Sequence, residues 1–472
     1  IAHSAGLDMN RRGSIVVDNR MRTSDPDIYA VGDAVQITNF VTKEPDSVLL
    51  AGPANRQGRI AAENIAGGYK LYDGAQGSGV LKVFEMTAAC TGINEERARR
   101  RKIDCGSVDL EYPSHAGYYP GAEEIFMKAD YPSVLLIYTG GTIGMIENPE
   151  TGALENFNFA HLLKHVPELK RFNYHISSYQ FDPPIDSSDM EPSLWAKIVA
   201  IINDNYENFD GFVILHGTDT MSYTASALSF MLENLAKPVI LTGSQLPIGT
   251  LRTDGKENLI TSIEIAAAKR PDGTALVPEV CIFFENELMR GNRTTKINAE
   301  NFNAFRSFNY PALAKAGIHI RYNEHIIRRP DPARPMKPHY LFDTNVVVLT
   351  LFPGIQESII DSVLHVPGLK AVVLKTFGSG NAPQKDWFIR QLKDATERGI
   401  VIVNITQCQS GGVEMGRYET GLHLLEAGVI SGYDSTPECA VTKLMFLLGH
   451  GLSQAEIRCR MNSDLAGEIT KE

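Results

Sequence analysis

Four short stretches carry the side chains best suited to covalent chemistry. Gly140-Gly141-Thr142-Ile143-Gly144 sets a threonine among glycines directly after the apolar run Val134–Tyr138. The spacing is that of a nucleophile elbow, with Thr in place of the usual Ser. A nucleophile at a sharp strand-to-loop turn needs small neighbours, because glycine admits strained backbone angles and close approach of a substrate. A purely structural Gly-rich turn would read the same way. His216-Gly217-Thr218-Asp219-Thr220 follows a second apolar run, Phe212–Leu215, and brings a hydroxyl and a carboxylate to its end. Asp219 or Thr220 is equally suited to capping a helix. Asp186-Ser187-Ser188-Asp189 is a polar group after Pro183-Pro184, and a plain turn would use the same residue types. Arg290 to Lys296 follows the run Val280–Phe284. Its Lys296 is either a surface charge or, if desolvated beside Asp219, a group that tunes proton transfer. A threonine hydroxyl is a weak nucleophile that needs a base and an oxyanion site, and it passes through a covalent acyl intermediate. Thr, Asp and Lys without a catalytic His suit acyl transfer on an amide or ester. The residues alone therefore describe a covalent hydrolase of unassigned substrate.

Other chemistries find little support. The chain has no GxxxxGK[ST], GxGxxG or HExxH motif. His161 and His165 are spaced i, i+4 but lack a third ligand, so they read as one face of a surface helix and no metal site is expected. Cys90, Cys105, Cys281, Cys408, Cys439 and Cys459 form no CxxC pair and read as free thiols in a reducing cytosol. With 45 Lys+Arg against 56 Asp+Glu the net charge is −11, which argues against nucleic acid or an anionic membrane as partner. The basic run around Arg97, Arg99, Arg100, Arg101 and Lys102 reads as the solvated face of one helix beginning at Asn94. No apolar window reaches the ~18 residues of a membrane-spanning helix, and no signal peptide opens the chain.

The elements that must position these residues change character near residue 126. At 472 residues, about three domains are expected. Before the change lies a patchwork, with strands expected over Ser14–Asp18, Ile28–Val31 and Val80–Ala89 and a helix over Pro53–Ile65. After it, strands and helices alternate. Val134–Tyr138, Phe212–Leu215 and Val239–Leu241 read as parallel strands buried on both faces. A helix is expected over Thr220–Ala236, where Leu228, Met231, Leu232 and Leu235 recur at helical spacing. Pro330, Pro332, Pro335 and Pro338 mark a linker. Val346–Phe352, Ala371–Thr376 and Val401–Ile405 then read as strands of a smaller domain. The expected fold class is α/β, with parallel-rich sheets flanked by helices.

The motifs YTGGTIGM (138–145), DSSDM (186–190), ILHGTDTMSYTASALSFMLENL (214–235), TGSQLP (242–247), LRTDGKENL (251–259), RGNRTTK (290–296), GSGNAP (378–383) and NITQCQSGGVEMG (404–416) together resemble type I, cytoplasmic L-asparaginases. The resemblance covers residues 127–472 and implies a two-domain enzyme, with a catalytic domain over 127–325, a linker over 326–344 and a second domain over 345–472. It implies hydrolysis of L-asparagine to L-aspartate and ammonia, with no cofactor, in a homodimer or homotetramer. It casts Thr142 as nucleophile. Thr218, Asp219 and Lys296 form a second polar group, Asp219 holding the substrate ammonium. Ser187, with Asp186 and Ser188, would bind the α-carboxylate. Members of the family often carry a tyrosine on the loop after the nucleophile, where this chain has Ala153. Thr295, Lys375 and Cys408 fall where some type I enzymes bind an allosteric asparagine, and Lys375 stands where an arginine accompanies regulation. The other reading within the family is an ammonia-supplying subunit of a tRNA-dependent amidotransferase.

Residues 1–126 resemble a different family. TSDPDIYAVGDA (23–34), LAGPANRQGRIAAENI (50–65) and SHAGYYPGAE (114–123) look like flavin-dependent NADH oxidases and coenzyme A-disulfide reductases. In that family the counterpart of Asp33 contacts the flavin. The GxGxxG unit and the redox cysteine do not occur here, so the expectation is an incomplete α+β reductase fragment that binds no FAD. Ile1 reads as a cut edge, Met127 as the natural start of the amidase, and the whole as a fusion.

Overall fold

In the computed structural model, residues 1–40, 42–83, 86–92, 108–113, 124–129, 132–147, 154–156, 166–172, 174–416 and 419–471 are described. The helix expected at Asn94, the pair His161 and His165, and Ala153 lie outside them. The chain divides into two units, Ile1–Asp130 and Tyr131–Glu472. The division falls later than residue 126 because Glu124–Ala129 pairs antiparallel with Val108–Pro113.

Among the described residues, the first unit has a three-stranded sheet of Ile15–Val16, Val35–Thr38 and Pro45–Asp46, and one helix, Ala51–Ile65. Its core is small, built on Met21, Val35, Ile37, Ile60, Ala61, Tyr72 and Ala75. Two expectations shift here. Ile28–Val31 contributes only an isolated bridge between Tyr29 and Arg22. The run Val80–Ala89 folds back as a hairpin, Gly79–Val83 against Met86–Cys90, without a Gly or Pro to announce the turn.

In the second unit, strand β1 (Ser133–Tyr138) is flanked by β2 (His175–Gln180) and β3 (Gly211–Leu215), followed by β4 (Val239–Thr242) and β5 (Val280–Phe284), all parallel. Three antiparallel strands complete the eight-stranded sheet: β6 (Glu287–Arg290), β7 (Ala314–Lys315) and β8 (Arg321–Tyr322). Alternate residues of the central strands enter two cores. Leu135, Ile137, Phe212, Ile214 and Leu241 face helices α1 (Pro192–Asp204) and α2 (Met221–Met231). Val134, Leu136, Val213, Leu215 and Ile240 face helix α3 (Gly255–Ala267). Burial on both faces explains why these strands read as unbroken apolar runs.

Helix α2 stops at Met231, short of the expected Ala236. Leu232–Glu233 instead pairs antiparallel with Lys337–Pro338, His339 N donates to Met231 O at 2.8 Å, and Asn234 takes a φ of 58°. Tertiary pairing with the proline-rich stretch thus overrides a helical periodicity that continues in the sequence. That stretch is strapped to the catalytic domain at this point.

The smaller sheet is four parallel strands in sequence order: β9 (Val346–Thr350), β10 (Ala371–Thr376), β11 (Val401–Thr406) and β12 (Ile430–Ser431). Helices α4 (Glu357–Leu364) and α5 (Asp386–Glu397) cover one face. Helices α6 (Pro437–Gly449) and α7 (Gln454–Met461) cover the other, where Phe230 of α2 joins the core and stacks near Phe446 at a centroid distance of 5.9 Å.

Candidate active site

Three loops meet at the carboxyl ends of β1 and β3, the edge at which open α/β sheets bind ligands. Thr139 N donates to Leu215 O at 3.0 Å, which ties the two strand ends together. Gly141 has a φ of 92°, in the left-handed region that favours glycine. A β-carbon there would fall 2.5 Å from both Cα and N of Gly217, so the two backbones touch. A β-carbon on Gly217 would in turn fall 2.4 Å from Ser187 Oγ. Glycine at both positions is what lets the Thr142, Thr218 and Ser187 loops converge.

Thr142 opens a short 3₁₀ turn, Thr142–Gly144, and its hydroxyl makes no hydrogen bond among the described residues. Thr218 is held on two sides. Lys296 Nζ donates to Thr218 Oγ1 at 2.8 Å and to Asp219 Oδ1 at 2.7 Å. With the ammonium donating, the Thr218 hydroxyl is free to give its own proton to Gln245 Oε1, 3.4 Å away. Asp219 is 66% exposed and opens to the solvent side, whereas Lys296 is 20% exposed. Asp219 and Thr220 do not cap α2. Asp219 pairs with Lys296, and Thr220 Oγ1 donates to Ser187 O at 2.6 Å, which fastens the third loop to the second. Ser187 is buried against Gly217. Asp186 and Ser188 close the turn around it: Ser188 N and Oγ donate to Asp186 Oδ1 at 2.9 and 2.8 Å, and those bonds hold the Asp186 carboxyl below its ordinary value.

Several residues around the site lay beyond the sequence reading. His216 is fully buried, and burial pushes its imidazole down to about 4, so the ring is neutral. Its Nδ1 lies 2.7 Å from Gly217 O and its Nε2 2.9 Å from Thr224 Oγ1, which also accepts from Trp195 Nε1 at 3.0 Å. A neutral ring with its proton on Nδ1 satisfies every partner, and it fixes the Gly217 carbonyl just ahead of Thr218. Asp254 accepts from the backbone N–H groups of Gln245 and Leu246 and so holds Gln245 in place, while burial pushes its carboxyl up. TGSQLP and LRTDG stand out as motifs, but nothing in their spacing says that Asp254 braces Gln245.

The Lys296 loop is anchored deeply. Arg290 binds Glu279 through Nε at 2.6 Å and Nη2 at 3.1 Å, both residues buried. Arg293 binds Asp434 at 2.7 Å and Gly467 O at 2.7 Å. Thr295 donates to Glu438 Oε1 at 2.6 Å, and burial raises the Glu438 carboxyl, with Lys375 among the groups opposing that rise. Cys408 is an exposed free thiol, as is Cys459, whereas Cys281 and Cys439 are buried. Among the described residues no group of three or more His, Cys, Asp or Glu side chains is set to hold a metal ion, and no helix is long and apolar enough to cross a membrane.

Residues 133–328 match the family profile for the asparaginase N-terminal domain, and residues 345–461 that for the glutaminase/asparaginase C-terminal domain. The chain belongs to the asparaginase family. It is an amidohydrolase. L-asparaginase 1 of Escherichia coli strain K12 is 45% identical over 350 residues, covering 72% of this chain and 98% of that protein. A 60 kDa lysophospholipase of Mus musculus is 41% identical over 363 residues, which span 71% of this chain and 62% of that longer protein. The crystal structure of L-asparaginase I from Vibrio cholerae matches with a TM-score of 0.66 at 44% identity, covering 72% of this chain and all of that one. The two-domain asparaginase fold expected from the motifs is thus the fold of the second unit. Residues 1–60 match the pyridine nucleotide-disulphide oxidoreductase family, in line with the reductase resemblance of the first unit.

Proposed function

We propose that the chain hydrolyses L-asparagine to L-aspartate and ammonia through an acyl-enzyme on Thr142. The observation that carries this reading is the hydrogen-bonded group Thr218–Lys296–Asp219, set against the Thr142 turn by the Gly141–Gly217 contact. Thr142 Oγ1 attacks the side-chain amide carbon, ammonia leaves, and water then cleaves the ester. Lys296 donates to the Thr218 hydroxyl, which eases proton movement there while charge develops on the substrate. The exposed face of Asp219 is suited to a substrate ammonium, and Ser187, supported by Asp186 and Ser188, to the α-carboxylate. In keeping with the type I resemblance, the enzyme works as a homodimer or homotetramer in the cytoplasm.

The test is a coupled ammonia assay on the full chain with L-asparagine, beside Thr142→Ala. Wild type releases ammonia, and T142A loses at least ~10³-fold in kcat. Substantial turnover by T142A would remove Thr142 from the nucleophile role. Absence of turnover in the wild type would remove the substrate.

A further inference from the structure

Within the second unit, a cavity of about 650 Å³ lies between the end of α2, the strap Arg328–His339 and the ends of α6 and α7. Small-molecule sites typically fall between ~300 and 1,000 Å³ and favour domain interfaces. Of the residues described with the active site, only Arg290 and Glu279, which anchor the Lys296 loop, line it; Thr142, Ser187, Thr218, Asp219 and Lys296 do not.

Its charge runs against that of the chain. Arg290, Arg328, Arg329, Arg334, Lys337 and Arg460 line it, against the two carboxylates Glu233 and Glu279. The chain as a whole carries −11. Glu279 is consumed by Arg290, and Glu233 by Arg334 and His339. Lys337 and Arg460 make no ion pair or side-chain hydrogen bond among the described residues, and both are exposed. Arg329 donates through Nη1 to Leu276 O at 2.7 Å and pairs through Nη2 with Glu324 at 3.8 Å.

Two histidines join the cavity wall to Glu233. His450 Nδ1 lies 2.7 Å from Phe446 O, so it donates. His450 Nε2 lies 3.0 Å from His339 Nδ1, and His339 Nε2 lies 2.9 Å from Glu233 Oε2. The same rings form an aromatic wall, with Phe446 and His450 centroids 4.3 Å apart and His339 edge-on to Phe446 at 5.4 Å.

We propose that this interdomain cavity is a binding site for a nucleoside phosphate, its phosphates held by Lys337 and Arg460 and its base against the wall of Phe446, His339 and His450. Unpaired cations beside an aromatic and aliphatic surface suit a ligand that joins phosphates to a planar ring, and arginine and lysine bind phosphate through charge-assisted hydrogen bonds. The inference is independent of the amidase reading.

Isothermal titration calorimetry on the full chain tests it with three probes: ADP, inorganic tripolyphosphate and adenosine. ADP binds, and each of the other two binds at least ~10-fold more weakly, because each lacks one half of the recognised chemistry. In the double variant Lys337→Ala/Arg460→Ala the ADP affinity falls at least ~10-fold, the loss expected for two charge-assisted contacts, while ammonia release without ADP is unchanged. Both replaced residues are exposed, so the variant keeps its fold, checked by its thermal midpoint. No heat with ADP at ~1 mM overturns the proposal. So does tripolyphosphate or adenosine binding as tightly as ADP, or ADP binding equally to wild type and variant.

Discussion

At the scale of single residues, exposure decides what each polar group contributes. The Lys296–Asp219 pair is short, but Asp219 is 66% exposed, and such pairs contribute little to stability. Lys296→Met is therefore expected to lower kcat by ~10² to 10³ while leaving the unfolding midpoint nearly in place. Ammonia assays beside thermal unfolding check this, and a large loss of stability would reassign Lys296 to the scaffold. His216 is the opposite case. Its imidazole, lowered to about 4 by burial, is neutral in the folded enzyme. Below pH ~6.5 the unfolded chain binds a proton that the folded chain refuses. Stability from this group is thus complete above ~6.5 and drains away as pH falls towards ~4, by an amount of order 3 kcal/mol. In ¹⁵N spectra of labelled protein, His216 should hold the Nδ1–H tautomer unchanged from pH 8 to 5; titration near pH 6.5 would contradict the buried network. Residue types and glycine spacing made Thr142, Ser187, Thr218, Asp219 and Lys296 visible in the sequence. His216, Gln245 and Asp254 stayed hidden because their roles consist of contacts between loops, which no local spacing records.

Between elements, the decisive contact is the meeting of two turns. Gly217 lies where any side chain would collide with Ser187, at 2.4 Å from Oγ and 2.6 Å from Cβ. Gly217→Ala is expected to cost about 1–3 kcal/mol in stability, as overpacked sites do, and to cost activity out of proportion, because the loop that moves carries Thr218. Urea unfolding and kcat/KM on the same variant separate the two effects. Equal activity in G217A would show that the loops can part without loss. The strands that bring these turns together were legible because burial on both faces forces unbroken apolar runs. The end of α2 was not. Leu232 and Leu235 keep the helical period, yet they are buried by other means, once Leu232–Glu233 leaves the helix to pair with Lys337–Pro338. A strand partner about a hundred residues away leaves no trace in a local pattern.

For the whole molecule, the question is which parts the amidase needs. The carboxyl-terminal segment is one. Glu468, fully buried, pairs with Lys443 of α6 at 2.5 Å and accepts from Leu465 and Ala466 N–H, while the adjacent Gly467 carbonyl binds Arg290 and Arg293 of the Lys296 loop. Removing one member of a buried pair strands the other charge and costs ~3–5 kcal/mol. Glu468→Leu should therefore lose stability on that scale, and Lys443→Met/Glu468→Leu should recover part of it, as urea unfolding of the three proteins would show. The loss should reach catalysis too, since the segment braces the loop that carries Lys296. The first unit stands differently. Relatives matched over 98% and 100% of their own lengths cover only 72% of this chain, and the asparaginase profiles begin at residue 133. The eight-stranded and four-stranded sheets, the two cores on each and every residue assigned to the active site belong to Tyr131–Glu472. A chain of residues 131–472 is accordingly expected to release ammonia from L-asparagine with a kcat/KM within about twofold of the full chain, a difference below ~0.5 kcal/mol. Side-by-side ammonia assays decide it: a tenfold deficit in the shorter chain would make the reductase-like unit a working part of the enzyme.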